Sequence, residues 1–172
     1  GRSGTSLTSQ ALDRLGLVTP DDQVLANENN LRGTGESIAV RDQMNALVQG
    51  LGTVESFLPS DWQSHPASQK TSAWIEDYLS RQRDTAQGRG FVIKFPMASI
   101  LLPLWISAAA RIGLELRFLW ATRNVTETLQ SLMRSYNQPE ITATLRIAQR
   151  CFYILRDAPS ETLLLPYEGW SD

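Results

Sequence analysis

The sequence predicts an α/β chain, a three-layer arrangement in which a parallel sheet is flanked by helices. Three observations carry that prediction. Hydrophobic periodicity changes along the chain, from helical spacing in the first half to short continuous apolar runs in the second. Those runs, Phe91–Phe95, Leu116–Ala121 and Thr162–Pro166, alternate with helical segments, as parallel strands joined by crossover helices do. Finally, Gly1-Arg2-Ser3-Gly4-Thr5-Ser6, a turn of small residues, runs straight into an amphipathic segment.

The elements follow in order. Leu7, Ala11, Leu12 and Leu15 recur at helical spacing, and Gly16 ends that helix. Residues 17–35 read as a polar loop containing Pro20 and the Asn27-Glu28-Asn29-Asn30 cluster. Val40, Met44, Leu47 and Leu51 mark a second helix ending at Gly50 or Gly52, and 58–67 is a loop with two prolines. Trp74, Ile75, Tyr78 and Leu79 mark a third helix from about Ser68 to Gln87. After Gly88 and Gly90, Phe91–Phe95 reads as a buried strand, followed by a helix over 100–112 that stops at Gly113. Leu116–Ala121 is a second strand. Asn124 then caps a helix, with Glu127 in capping-box position. Ile141, Leu145, Ala148, Phe152 and Leu155 define the apolar stripe of another helix, and 162–166 forms a last strand.

A chain of 172 residues is long enough for a proper core, and one domain over 1–172 is the expectation. With 16 Lys and Arg against 18 Asp and Glu there is no basic excess of the kind a nucleic-acid or anionic-membrane surface shows. Any anion site must be a local cluster. Cys151 is the single cysteine, which excludes a disulfide framework and a thiolate metal site and points to a reducing, cytoplasmic compartment. No apolar run reaches membrane-spanning length; the longest, Ile100–Ala110, contains Pro103 and Ser107.

The opening hexapeptide has the makings of a phosphate cradle. Glycine lets the backbone approach an anion, free N–H groups point at it, and the positive end of a helix dipole adds to the attraction. Thr5 stands where a Walker A loop carries Lys, and the positive charge sits at Arg2 instead. Such a loop needs a strand feeding into it, so the first strand of the expected P-loop-type sheet is missing from the sequence as read. In parallel sheets the ligand lies beyond the carboxyl ends of the strands. There the first predicted strand ends in Lys94 and the second in Arg123, and neither ends in the Asp that would organise magnesium. Arg2, Lys94 and Arg123 together suit a polyanion handled without a metal. Ser131 lies about two turns into the helix after Arg123, where a hydroxyl and a guanidinium could share a second phosphate; a capped surface helix with an incidental serine fits the spacing equally well.

These residues resemble the sulfotransferase family, in bacterial form. Arg2-Ser3-Gly4-Thr5-Ser6 is similar to the family's 5′-phosphosulfate loop, and Arg123-Asn124 with Ser131 to its 3′-phosphate motif in type and spacing. Phe91–Pro96 resembles the segment between the two motifs. Pro166-Tyr167-Glu168 resembles a late Tyr-Glu-Asp stretch, and Asn30–Glu36 an Asn-Pro-Arg-Gly-aromatic-aromatic-Glu segment. The resemblance implies 3′-phosphoadenosine 5′-phosphosulfate as donor, no metal, and transfer of a sulfuryl group to a hydroxyl or amine of a small molecule or carbohydrate. It implies that Arg2, Ser3, Gly4, Thr5 and Ser6 hold the 5′-phosphosulfate, that Lys94 and Arg2 steady the transferring group, and that Arg123 and Ser131 hold the 3′-phosphate. The balanced charge and the lack of a membrane-spanning run argue against a nucleic-acid or membrane partner; a homodimer is left open.

The chain departs from the family pattern at several positions. Phe95 and Pro96 follow Lys94 where cytosolic members carry a catalytic His. The lone histidine, His65, lies in a Pro-flanked loop and reads as incidental. Glu36 is the candidate general base, with Glu28 in reserve; Glu36 reads equally well as a first-turn glutamate complementing a helix dipole. Trp74 and Tyr78 read as core, and Trp62 as the aromatic nearer a ligand. The glycine- and basic-rich C-terminal segment of the family has no counterpart. A P-loop small-molecule kinase and a non-catalytic nucleotide-binding module therefore stand as alternatives.

Overall fold

The computed structural model of the chain describes residues 5–23, 35–53 and 58–170. The core is helical and forms where the sequence pattern is most regular. In helix α2 (Ile38–Gly50), Val40, Met44 and Leu47 fall on one face and are at most 1% exposed. They pack with Ile75, Tyr78 and Leu79 of α3 (Pro66–Ala86) and Ile100, Leu101, Leu104 and Trp105 of α4 (Ala98–Arg111) in one cluster. Arg111 ties α4 to α3: its Nε donates to Glu76 at 2.6 Å, and the same guanidinium bonds Ser107 and Ser72.

Local chemistry explains the element ends. Ser37 caps α2, its Oγ accepting from Val40 N–H at 3.2 Å and donating to Asp22 Oδ2 at 2.8 Å. His65 begins α3, and its Nδ1 accepts from Ala67 N–H at 3.2 Å; the lone histidine is thus a helix cap. The third helix starts two residues earlier than its apolar pattern indicates because Pro66 sits in its first turn, where a missing N–H costs nothing. A short 3-10 helix, Trp62–Ser64, precedes it. Trp62 is 4% exposed and belongs to the core cluster, which corrects its reading as a ligand-side aromatic. Trp74 and Tyr78 stack at 5.0 Å, as expected of core aromatics.

The sheet is smaller than the sequence suggests. Among the described residues it has two strands, β1 (Leu119–Thr122) and β2 (Leu163–Pro166), paired in parallel with Leu119 opposite Leu163. Phe91–Phe95 lies beside the chain at two points without forming a ladder: Phe91 bridges Val18 and Lys94 bridges Glu36, both in parallel sense. The expected three-layer sheet covered on both faces is therefore present only as an α/β arrangement with one short parallel pair. Helix α1 (Thr5–Arg14) buries only Ser9, and Leu15 just beyond it is 77% exposed.

After β1 come α5 (Val125–Tyr136) and α6 (Glu140–Asp157), which connect it to β2. The apolar stripe read for α6 faces solvent: Ile141, Leu145, Phe152 and Leu155 are 55–75% exposed, and the opposite face carries buried Ala143. The stripe and the inward face lie half a helical turn apart, and the neighbours α4 and α5 meet the less apolar one. None of the described helices is long and apolar enough to cross a membrane.

Candidate functional site

Two of the three predicted strand-end cations are brought to one place. A cavity of about 990 Å³ runs between Phe91–Phe95 and β1, and Thr5, Lys94 and Arg123 all line it. Arg2, Ser3 and Gly4 of the predicted cradle, and Glu28, lie outside the described residues. Thr5 opens α1, and its Oγ1 is buried without a hydrogen-bond partner among the described residues. Ser6 follows in the same turn, half-buried, and does not line the cavity.

Lys94 is held by a partner far away in sequence. Its Nζ lies 2.5 Å from Glu36 Oε1, and the side chains are 9% and 13% exposed. Backbone structure sets this pair. Residues 36 and 94 form a parallel bridge, Ser37 bridges Gln23, and Asp22 holds both Ser37 Oγ and Ala39 N–H at 2.8 Å. Gly35 enters this turn at φ 66°, a left-handed conformation that suits glycine. Burial pushes the Lys94 ammonium pKa down, and the Glu36 carboxylate opposes that shift. Glu36 therefore does more than complement a helix dipole. It neutralises the buried cation that faces the cavity.

Arg123 follows the last residue of β1. Its guanidinium bonds Glu127 one helical turn on, at 2.9 Å from Nε and 2.7 Å from the terminal nitrogen, and lies 4.8 Å from the centre of the Tyr167 ring. The predicted cap is present: Asn124 Oδ1 accepts from Thr126 N–H at 2.9 Å and Glu127 N–H at 3.3 Å. The reciprocal half of the capping box is not made by Glu127, whose carboxylate serves Arg123. Instead Glu168 takes Asn124 N–H at 2.5 Å. The late Tyr167-Glu168 pair thus orients the Arg123 junction from 44 residues away. Ser131 sits half-buried on α5 without lining the cavity; Thr128 and Leu132 of that helix line it.

Sequence reasoning missed two arginines. Arg146 and Arg150, one turn apart on the inward face of α6, line the same cavity together with Cys151, whose thiol pKa burial pushes up. The cue was their i, i+4 spacing beside Ile147 and Ile154. With Lys94, Arg117 and Arg123 they make the lining basic, and Glu115 is the one carboxylate among the described lining residues. A chain of net charge −2 thus concentrates cations around this cavity. Among the described residues no group of three or more His, Cys, Asp or Glu side chains could hold a metal ion.

Comparison of the chain with protein-family models, with curated proteins and with solved structures found no match.

Proposed function

We propose that this chain is a sulfuryl-transfer domain of P-loop type that takes 3′-phosphoadenosine 5′-phosphosulfate as donor and a hydroxyl or amine of a small molecule or carbohydrate as acceptor. The observation that carries the reading is that Thr5, Lys94 and Arg123, picked from three separated sequence motifs, line one basic cavity. Arg123 serves the 3′-phosphate, and Thr5 with the loop before it serves the 5′-phosphosulfate. The acceptor oxygen or nitrogen forms the new bond to sulfur as the bond from sulfur to the bridging phosphate oxygen breaks, leaving adenosine 3′,5′-bisphosphate. Lys94 neutralises charge on that bridging oxygen, and side-chain cations with backbone N–H groups suffice because a sulfuryl group carries less charge than a terminal phosphoryl. As Lys94 turns toward the donor, Glu36 is released to accept the acceptor's proton.

Calorimetric titration of adenosine 3′,5′-bisphosphate into wild type and Arg123→Ala tests the assignment. Loss of a charged hydrogen-bonding partner is expected to weaken binding by ~1.5–3 kcal/mol, about ten- to a hundredfold or more. Equal affinity in both proteins removes Arg123 from the phosphate site. Transfer of labelled sulfate to an acceptor, absent in Glu36→Gln, tests the chemistry. Magnesium-dependent ATP turnover with no effect of the phosphosulfate donor favours a kinase instead.

A further inference from the structure

Helix α6 has two faces of different character. Inward lie Ala143, Arg146, Ile147, Arg150 and Ile154; Ala143 is fully buried and the other four line the basic cavity. Outward lie Ile141, Leu145, Ala148, Phe152 and Leu155, and every one of them is exposed. The outward residues are spaced four, three, four and three apart. That is the a/d spacing of a helix that packs along its length against another helix. The repeat drifts from an ideal helix by only about 20° per heptad, so over two heptads the five side chains stay on one face. Such a seam is normally bordered by charged side chains, often Glu and Lys. Here its borders are Thr142, Thr144, Gln149 and Cys151, with a charge, Arg156, only at the far end.

We propose that this face is a self-association surface, on which α6 packs antiparallel against α6 of a second copy about a two-fold axis near Ala148. An interface of that symmetry must be complementary to itself, and the stripe is. With Ala148 on the axis, Ile141 of one copy faces Leu155 of the other and Leu145 packs beside Phe152, so the aliphatic half of each stripe meets the half that carries the ring. The small side chain at the centre lets the helix axes approach to the usual 8–10 Å or so. Parallel packing would instead set Phe152 on Phe152 and Arg156 beside Arg156. The antiparallel arrangement brings the Arg156 end of one helix to the Glu140 start of the other and opposes the two helix dipoles. Uncharged borders suit an identical uncharged partner, whereas a highly charged partner would find little to pair with. The area is sufficient. At 55–75% exposure Ile141, Leu145, Phe152 and Leu155 present roughly 100 Å² each, so two copies bury about 800 Å² before the bordering residues are counted. With those borders the seam reaches the ~1,000 Å² that a specific, reversible interface needs. Arg146 and Arg150 lie on the opposite face of α6, so association leaves the cavity open and is independent of which anion it binds.

Sedimentation equilibrium over about 1 to 200 µM protein is the test. Wild type is expected to rise from monomer toward twice the monomer mass, with half-association in the micromolar range. Leu145→Glu and Phe152→Glu each bring a carboxylate from both copies into the apolar seam and are expected to weaken association by about tenfold or more. Both positions are more than half exposed, so the variants should keep the wild-type circular dichroism. Mixing Ile141→Cys protein with Leu155→Cys protein, each also carrying Cys151→Ser, is expected to form the mixed disulfide in preference to either like pair. A wild type that stays monomeric throughout the range overturns the proposal. So does a dimer whose strength neither glutamate variant changes, and like-pair disulfides alone overturn the antiparallel arrangement in favour of a parallel one.

Discussion

Replacing Glu36 by Gln keeps the side chain's shape and removes its charge, leaving the Lys94 ammonium in a site where only 9% of its side chain is exposed. In the wild type burial lowers the Lys94 pKa and Glu36 opposes the shift, so the variant keeps the lowering influence and loses the opposing one. Breaking a buried ion pair from one side costs about 3–5 kcal/mol. A second route gives the same ceiling. The native lysine can shed its proton, and doing so at pH 7 from an ordinary value of 10.5 costs about 1.4 kcal/mol per pH unit, hence about 5 kcal/mol. Against a domain stability of roughly 5–15 kcal/mol that loss is large.

The pH dependence is the discriminating measurement. A lysine whose pKa is lowered in the native state binds fewer protons there than in the unfolded chain at any pH between the two values. Unfolding free energy then rises with pH through that window, by up to ~1.4 kcal/mol per unit, and levels off above the unfolded value. The deficit of Glu36→Gln should therefore shrink between pH 7 and 10, measured by urea denaturation at several pH values. Glu36→Gln combined with Lys94→Met should cost clearly less than the two single changes added together, because neither charge is then stranded. A deficit that stays constant with pH, or strictly additive single and double variants, would refute the description of Glu36 and Lys94 as a buried, mutually dependent pair.

Two further predictions concern how the site is held. Asn124→Ala removes the cap on Thr126 and Glu127 N–H and should cost ~1 kcal/mol, lowering the thermal midpoint by ~2–4 °C in circular dichroism; no change would show that Glu168 alone sustains the start of α5. Gly35→Ala should destabilise by ~1–2 kcal/mol in urea unfolding, since residue 35 has φ 66° and a Cβ there would lie 3.1 Å from Ser9 Oγ. Adding Ser9→Gly should recover the part due to contact and leave the part due to backbone strain, and full recovery would show that φ costs nothing there.

What was legible in the sequence was local. Val40, Met44 and Leu47 announce a buried face by spacing alone, Asn124 announces its cap, and Lys94 and Arg123 stand at the ends of apolar runs. What was not legible depends on partners distant in the chain. Glu36 and Lys94 are 58 residues apart, and Asn124 and Glu168 are 44 apart, with no periodicity linking either pair. The stripe of Ile141, Leu145, Phe152 and Leu155 is as regular as that of α2, yet helical spacing says only that a face is apolar, and burial depends on which neighbour meets it.

The two halves of the chain are unequally buried. Apolar side chains of α2, α3 and α4 are sequestered in one cluster, while Leu119, Leu163 and Leu164 of the parallel pair remain 39–56% exposed. A two-stranded sheet is a poor unit by itself, because three or more strands or a covering helix are needed for independent stability. Among the described residues β1 pairs on one side only, and Phe91–Phe95, which has strand composition, forms isolated bridges rather than a ladder.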